Sequence, residues 1–239
     1  MHDKFVESVW SETDRLLSRV ERLDTQLTAS FRAYAVEGDR AYAATQDSRA
    51  AAIVYSMAEL ESLTRFVLTE AHKAINVLEV PVRDVRPCLR GLAAHSWFES
   101  LRSLQETAKV WERRTLTTTM EDSAEPMRLP VVRRPKAQPP LDGRTPKPEH
   151  FALVWVTYGL PDEPFTTGAW ETTLRKLSGI RNDLAHGNVP FHEVFQTAGL
   201  QEEAVEGYLA DLAHFAIHFA SSWITYMTSA SYLAHPSSG

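Results

Sequence analysis

The chain has 239 residues, 44% hydrophobic and 23% charged, enough to bury a substantial core in one domain with an insertion. A net charge of −6 excludes a generally cationic nucleic-acid coat protein and leaves room only for a local basic cleft. The single Cys88 excludes an intrachain disulfide and a cysteine-pair zinc site, in keeping with a reducing cytoplasm.

The first segment is charged and helical in pattern and lacks the apolar stretch of a secretory signal. Over 1–37, Val9, Leu16, Val20, Leu23, Leu27, Phe31 and Tyr34 recur at steps of three, four or seven, which predicts an amphipathic helix. Gly38 and Asp39 mark a break. Ile53, Met57, Leu60, Val67 and Leu78 define a second long helix ended by Pro81. A third is expected from about Pro87 to about Arg114, with Leu89, Leu92, Trp97, Leu101, Leu104 and Trp111 on its apolar face.

Residues 115–150 form an insertion of another kind. Seven of the thirteen prolines fall in 126–150, and no helix crosses that density. The same stretch carries Arg128, Arg133, Arg134, Lys136, Arg144 and Lys147 against Asp142 and Glu149. It reads first as a solvated, partly mobile loop, and second as a basic strap in which Arg133, Arg134 and Lys136 track an RNA backbone. Val131-Val132 is a weak hairpin partner for the run Phe151 to Val156. A motif helix follows over 167–187, with Thr167 or Gly168 as N-cap and Glu171 in its first turn. The last helix is expected over 202–230, with Val205, Leu209, Leu212, Phe215, Phe219, Trp223 and Met227 on one face. Residues 212–234 lack Asp, Glu, Lys and Arg, yet their hydropathy is too low for a membrane span. Burial in a bundle or at a subunit contact accounts for them, and the tail after His235 should fray.

The chemistry concentrates in 180–188. Trp170, Leu174, Leu177 and Leu184 fall on one helical stripe, and Arg181 falls on the same stripe. Asn182 and His186, four apart, share another side, and Gly187 follows as a helix stop. A cation, an imidazole and an amide at one helix end are sufficient for metal-free acid–base work on a phosphodiester. An Arg in line with an apolar stripe must meet a carboxylate, a carbonyl or a bound anion. A structural ion pair of Arg181 is the competing account.

Arg181-Asn182-Asp183-Leu184-Ala185-His186-Gly187 resembles the R-x4-6-H motif of the HEPN superfamily, in which a polar residue often follows the Arg. Ala58-Glu59-Leu60-Glu61 through Leu68 resembles the acidic early helix of that family's nuclease-toxin branch, and the order of elements over roughly 45–230 is also similar. The resemblance implies an all-α, HEPN-like helical bundle over 1–239 with a long N-terminal helix and a Pro-rich insertion before the motif helix. It further implies a metal-independent endoribonuclease of toxin or antiviral-defence type that needs no cofactor. Arg181, His186 and Asn182 would be its catalytic residues. RNA, a second copy of the chain and an antitoxin or defence-system protein are the implied partners. Asn188 stands where toxins paired with nucleotidyltransferase antitoxins often carry a Tyr, which argues against control through that Tyr. Two alternatives stand beside this reading: a noncatalytic HEPN-type module that binds nucleotide, RNA or protein, and a purely structural helical interaction protein.

Other constellations are weaker. Glu59 and Glu61 read as helix-surface carboxylates first and as supports for Arg181 second. His192, soon after the motif, reads as a solvated turn before it reads as a polar wall of the site. His214 and His218 have metal-pair spacing, but no third ligand accompanies them, so packed helix-face histidines and no metal are expected. No phosphate-binding Gly loop, dinucleotide turn, serine-hydrolase elbow or carboxylate cluster is present, which disfavours those enzyme classes and two-metal nucleases.

Overall fold

The computed structural model describes residues 2–101, 105–132, 137–187, 193–195 and 201–235, and all regular structure among them is helical. The helices are α1 (His2–Glu37), α2 (Asp39–Val77), α3 (Pro87–Ala93), α4 (His95–Leu101), α5 (Thr107–Thr119), α6 (Pro148–Tyr158), α7 (Gly168–His186) and α8 (Glu202–Thr228). Two short 3₁₀ turns, Val82–Asp84 and Met120–Asp122, and two isolated bridges, Pro81 to Pro126 and Val85 to Leu233, tie the connections together. Among the described residues, no helix is long and apolar enough to cross a membrane.

The sequence period builds α1 directly. Phe5, Val9, Thr13, Leu16, Val20, Leu23 and Leu27 form its buried face. Gly38 alone separates α1 from α2. Its φ of 63° lies in the left-handed region that glycine enters without steric cost. Its N–H donates to Tyr34 O at 2.8 Å and its carbonyl accepts from Ala41 N at 2.9 Å, so one residue ends one helix and starts the next. The two helices pack along each other, α8 packs against both, and α7 lies on α2 and α8. Leu212, Phe215, Phe219 and Trp223 of α8 are fully buried. One face of the uncharged stretch is therefore core, in line with burial in a bundle.

Two expectations fail and a third gains a boundary. The second helix starts at Asp39, directly after the break at Gly38 and well before the apolar pattern that opens with Ile53. Its first third is rich in Ala, a strong helix former that leaves no apolar period to read. The expected helix from Pro87 to Arg114 is three pieces, α3, α4 and α5. Only α3 buries side chains, Leu89 and Leu92, while α4 and α5 bury none, and Trp111 is 59% exposed. Leu104 lies outside the described residues. The weak hairpin is replaced by α6: Phe151, Val154, Trp155 and Tyr158 are buried at helical spacing, and Pro148 stands in the first turn, where its missing N–H costs nothing. Phe151 packs edge-on against Phe215 at 4.7 Å and Tyr158 against Trp223 at 4.6 Å, which seats α6 on α8.

The described parts of the Pro-rich insertion, 126–132 and 137–147, form a built strap that runs over α2 and α6. Met127, Leu129, Gln138 and Thr145 within it are buried. Pro130 and Pro139 have no N–H, so burial leaves only their carbonyls to satisfy. His72 Nδ1–H donates to Pro130 O at 2.5 Å, and its Nε2 accepts from the Tyr158 hydroxyl at 2.5 Å, with Pro139 O 3.3 Å from that hydroxyl. Gln138 Nε2 donates to Pro130 O at 2.5 Å. Asn76 binds Leu129 from both sides, donating to its carbonyl at 2.9 Å and accepting from its N–H at 2.7 Å. A solvated loop is thereby excluded for these residues. His72 and Asn76 lie on α2, more than fifty positions away, where no local pattern announces them.

His72 is fully buried, and desolvation of the imidazolium lowers its pKa from 6.5 to about 4, with the bond to Pro130 pulling the other way. Its folded pKa lies below its unfolded one. The unfolded chain therefore binds the proton first, and stability is lost as pH falls from 6.5 toward 4. The loss reaches about 3 kcal/mol. Urea midpoints of wild type and His72→Gln, taken from about pH 7.5 down to about pH 4, should show the wild-type advantage shrinking by roughly that amount. A pH-independent difference would contradict the buried neutral imidazole.

Candidate functional site

The helix that carries the motif is fixed before its last turn. Leu174, Leu177 and Ile180 bury one stripe of α7. Thr173 donates to Asp211 at 2.6 Å and Lys176 donates to the Tyr208 hydroxyl at 2.6 Å, both on α8. Arg175 pairs with Glu171 at 2.9 Å and also with Glu149, which ties α7 to the start of α6. Thr167 occupies the N-cap position as expected, without a side-chain cap bond. The helix ends as read from sequence: Gly187 has φ 62° and ψ 27°, and its N–H donates to Asp183 O.

The last turn presents the motif. Trp170 and Leu184 are half-buried against the core, and Arg181, on the same stripe, is half-buried too. Among the described residues Arg181 has no hydrogen bond and no ion pair, so the structural ion pair that sequence allowed is not found there. His186 is exposed and likewise has no hydrogen-bond partner among the described residues. Asn182 is held: its Oδ1 accepts from the Thr145 hydroxyl at 2.9 Å. Thr145 is a buried residue of the strap, 37 positions upstream. That bond uses the amide oxygen and leaves the amide N–H groups as the free donors beside Arg181.

The supporting carboxylates go elsewhere. Glu61 pairs with Arg65 on its own helix at 2.6 Å, and Glu59 pairs with Arg15 of α1 at 2.9 Å. Neither serves Arg181. An i,i+4 partner and a facing helix offer these carboxylates closer cations than α7 does. His218 Nε2 donates to Glu163 O at 2.9 Å, and its ring stacks on Trp155 at 5.7 Å and lies against Trp170 at 5.4 Å. His214 is exposed. No group of three metal-ligating side chains occurs among the described residues. Asn188, His192, Arg133, Arg134 and Lys136 lie outside the described residues. The strap's nearest described cations to Thr145 in sequence are Arg144 and Lys147, both exposed.

Thr145 and Arg49, like the strap anchors His72 and Asn76, escaped sequence reading. Thr145 sits between Arg144 and Pro146 with no periodicity to mark it. Arg49 is buried on α2, donates from Nε to Thr45 O at 3.2 Å, and stacks on Phe31 at 5.5 Å and Phe195 at 4.9 Å. It thereby links the segment after the motif to α1, and its signal was visible only as a cation within an Ala-rich run. No protein-family profile, curated protein or solved structure matches the chain.

The Thr145–Asn182 contact is measurable without any assumption about function. Thr145→Val and Asn182→Ala, singly and together, should give a coupling free energy of about 1 kcal/mol in urea unfolding, the size of one part-buried neutral hydrogen bond. Additive effects would mean that the strap does not hold Asn182.

Proposed function

We propose that this protein is a metal-independent endoribonuclease of the HEPN type that acts as a toxin or antiviral-defence effector. The observation that carries the reading is Arg181: a half-buried guanidinium with no protein anion among the described residues, one turn of helix from an exposed His186. Such a group is a ready site for an oxyanion. Asn182, fixed through Thr145, adds amide donors on the adjoining side. The resemblance of 181–187 to the R-x4-6-H motif supports the same reading.

The reaction needs no protein nucleophile, because RNA supplies its 2′-hydroxyl. A base takes the 2′-proton, the 2′-oxygen forms a bond to phosphorus, and the bond from phosphorus to the 5′-oxygen breaks. An acid gives a proton to that leaving oxygen. The products are a 2′,3′-cyclic phosphate and a 5′-hydroxyl. His186 fills the role of base or acid, and histidine is suited to both near neutral pH. Arg181 holds the scissile phosphate and offsets the charge that grows on its oxygens. One imidazole does not reach both sides of an in-line displacement, so two chains related by a twofold axis would bring a second His186 to the cleft. The basic residues Arg133, Arg134 and Lys136 of the strap, with Arg144 and Lys147, would add phosphate contacts. A defence-system or antitoxin protein would restrain the activity.

The noncatalytic alternative, a HEPN-type module that binds nucleotide, RNA or protein, is favoured by one observation. His186 has no hydrogen-bond acceptor among the described residues to orient its ring. A general base is ordinarily oriented by such a partner, and a binding surface needs none.

Purified protein incubated with single-stranded RNA in excess EDTA separates the two. Cleavage that leaves cyclic phosphate ends and falls roughly 100-fold or more in His186→Ala and in Arg181→Ala is the expected result. RNA binding without cleavage would support the alternative, and full activity in His186→Ala would sink the assignment. Mixing wild type with an excess of His186→Ala chains should suppress cleavage through mixed dimers. A monomer in sedimentation that retains full activity would remove the shared cleft.

A further inference from the structure

A groove of about 600 Å³ runs between α1 and the first half of α8. Its floor is apolar, with Leu17 and Val20 on one side and Leu209 on the other. Gly207, Ala210 and Ala213 keep the α8 wall low. Glu21 and Asp24 edge it on α1, and Glu203 and Glu206 edge it on α8. No lysine or arginine lines it, and none of the four carboxylates has an ion-pair partner among the described residues. Glu206 accepts only a 3.3 Å bond from the Thr28 hydroxyl. The groove lies on a different side of α8 from Tyr208 and Asp211, the residues that bond α7. It is separate from the Arg181–His186 site and independent of the RNA reading.

We propose that this groove is the docking site of a cationic amphipathic helix of a partner protein. Over residues 17–24 of α1 and 206–213 of α8 the backbone groups are bonded within their own helices, so the floor there offers no donors or acceptors. An extended peptide laid there would leave its own N–H and C=O groups unpaired, whereas a helix satisfies them internally. The groove between two packed helices also has the shape into which the side-chain ridge of a third helix fits. From Glu203 to Ala213 it spans about three helical turns, which sets the length engaged. The four carboxylates select the charge: lysines or arginines on both edges of an apolar stripe meet a carboxylate on either wall. A nucleic acid or an anionic lipid surface is repelled by the same groups. A second copy placed across a twofold axis on this face would set four carboxylates against four more, in a chain whose net charge is −6.

The probe is a fluorescein-labelled helical peptide of about 16 residues with leucines at a 3.6 period and lysines on both flanks. Its twin replaces every lysine with glutamate. Both are titrated against the full chain by fluorescence anisotropy. The lysine peptide should bind, weaken as salt rises from about 0.05 to about 0.5 M, and lose roughly ten-fold or more in Glu203→Lys/Glu206→Lys. Gly207→Leu should cost a similar factor without loss of fold. A Cβ added at 207 meets no atom within 4 Å, and leucine favours helix over glycine. Glu21→Lys/Asp24→Lys repeats the charge test on α1 if an α8 variant fails to fold. No binding at about 100 µM, equal binding of the glutamate peptide, or indifference to Gly207→Leu in a folded protein overturns the proposal. So does a change in oligomer mass caused by Gly207→Leu, which would show the groove already covered by a second copy.

Discussion

Side chains buried on α2 range around the helix from Ala52 through Ile53, Leu60 and Val67 to His72, an arc of roughly half its circumference or more at 100° per residue. One neighbour cannot cover such an arc. The apolar surface of α2 therefore requires helices on several sides at once, and α1, α7 and α8 are those helices. The position of the motif follows from that requirement. Leu174, Leu177 and Ile180 commit one face of α7 to this shared core, and the turn that continues past them delivers Arg181, Asn182 and His186 to the edge of the bundle.

A second constraint concerns polar atoms. A chain segment dense in proline has fewer N–H groups to satisfy, so it can be buried if its carbonyls find donors. His72, Gln138 and Asn76 supply them. The strap so fixed carries Thr145 to Asn182. The buried polar network at one end of the strap and the motif at the other are thus parts of one mechanical element. A single buried imidazole, His72, bonds that element to α2 and α6 at once.

Where apolar residues kept a strict period, the sequence was readable: the buried face of α1, the break at Gly38, the stop at Gly187 and the extent of α8 all follow from spacing and from glycine. Legibility failed where the deciding partner was distant or small. The Ala-rich start of α2 has propensity without a pattern. The run from Phe151 to Val156 is short and almost wholly apolar, and such runs fit a strand or a helix until their partners are known. The division of 87–119 into three helices reflects the lack of a core beneath its later part, which composition does not reveal. At the site, the apolar stripe through Arg181 was legible. The loss of Glu61 to Arg65, and the hold of Thr145 on Asn182, were not, because each depends on which neighbour is nearest in space.

The placement of α8 has a consequence for the order of events during synthesis. α7 is covered on one flank by α2 and on another by α8, and α8 is made after α7. A growing chain that has already exposed the motif still lacks the cover that α8 gives α7. The apolar stripe of Leu174 and Leu177 faces water until α8 folds onto it, and elements without their packing partner stay marginal. Timing therefore separates the presence of the motif in the chain from its presentation on a settled helix. A growing chain would carry Arg181 and His186 for some time before α8 fixes the helix that bears them.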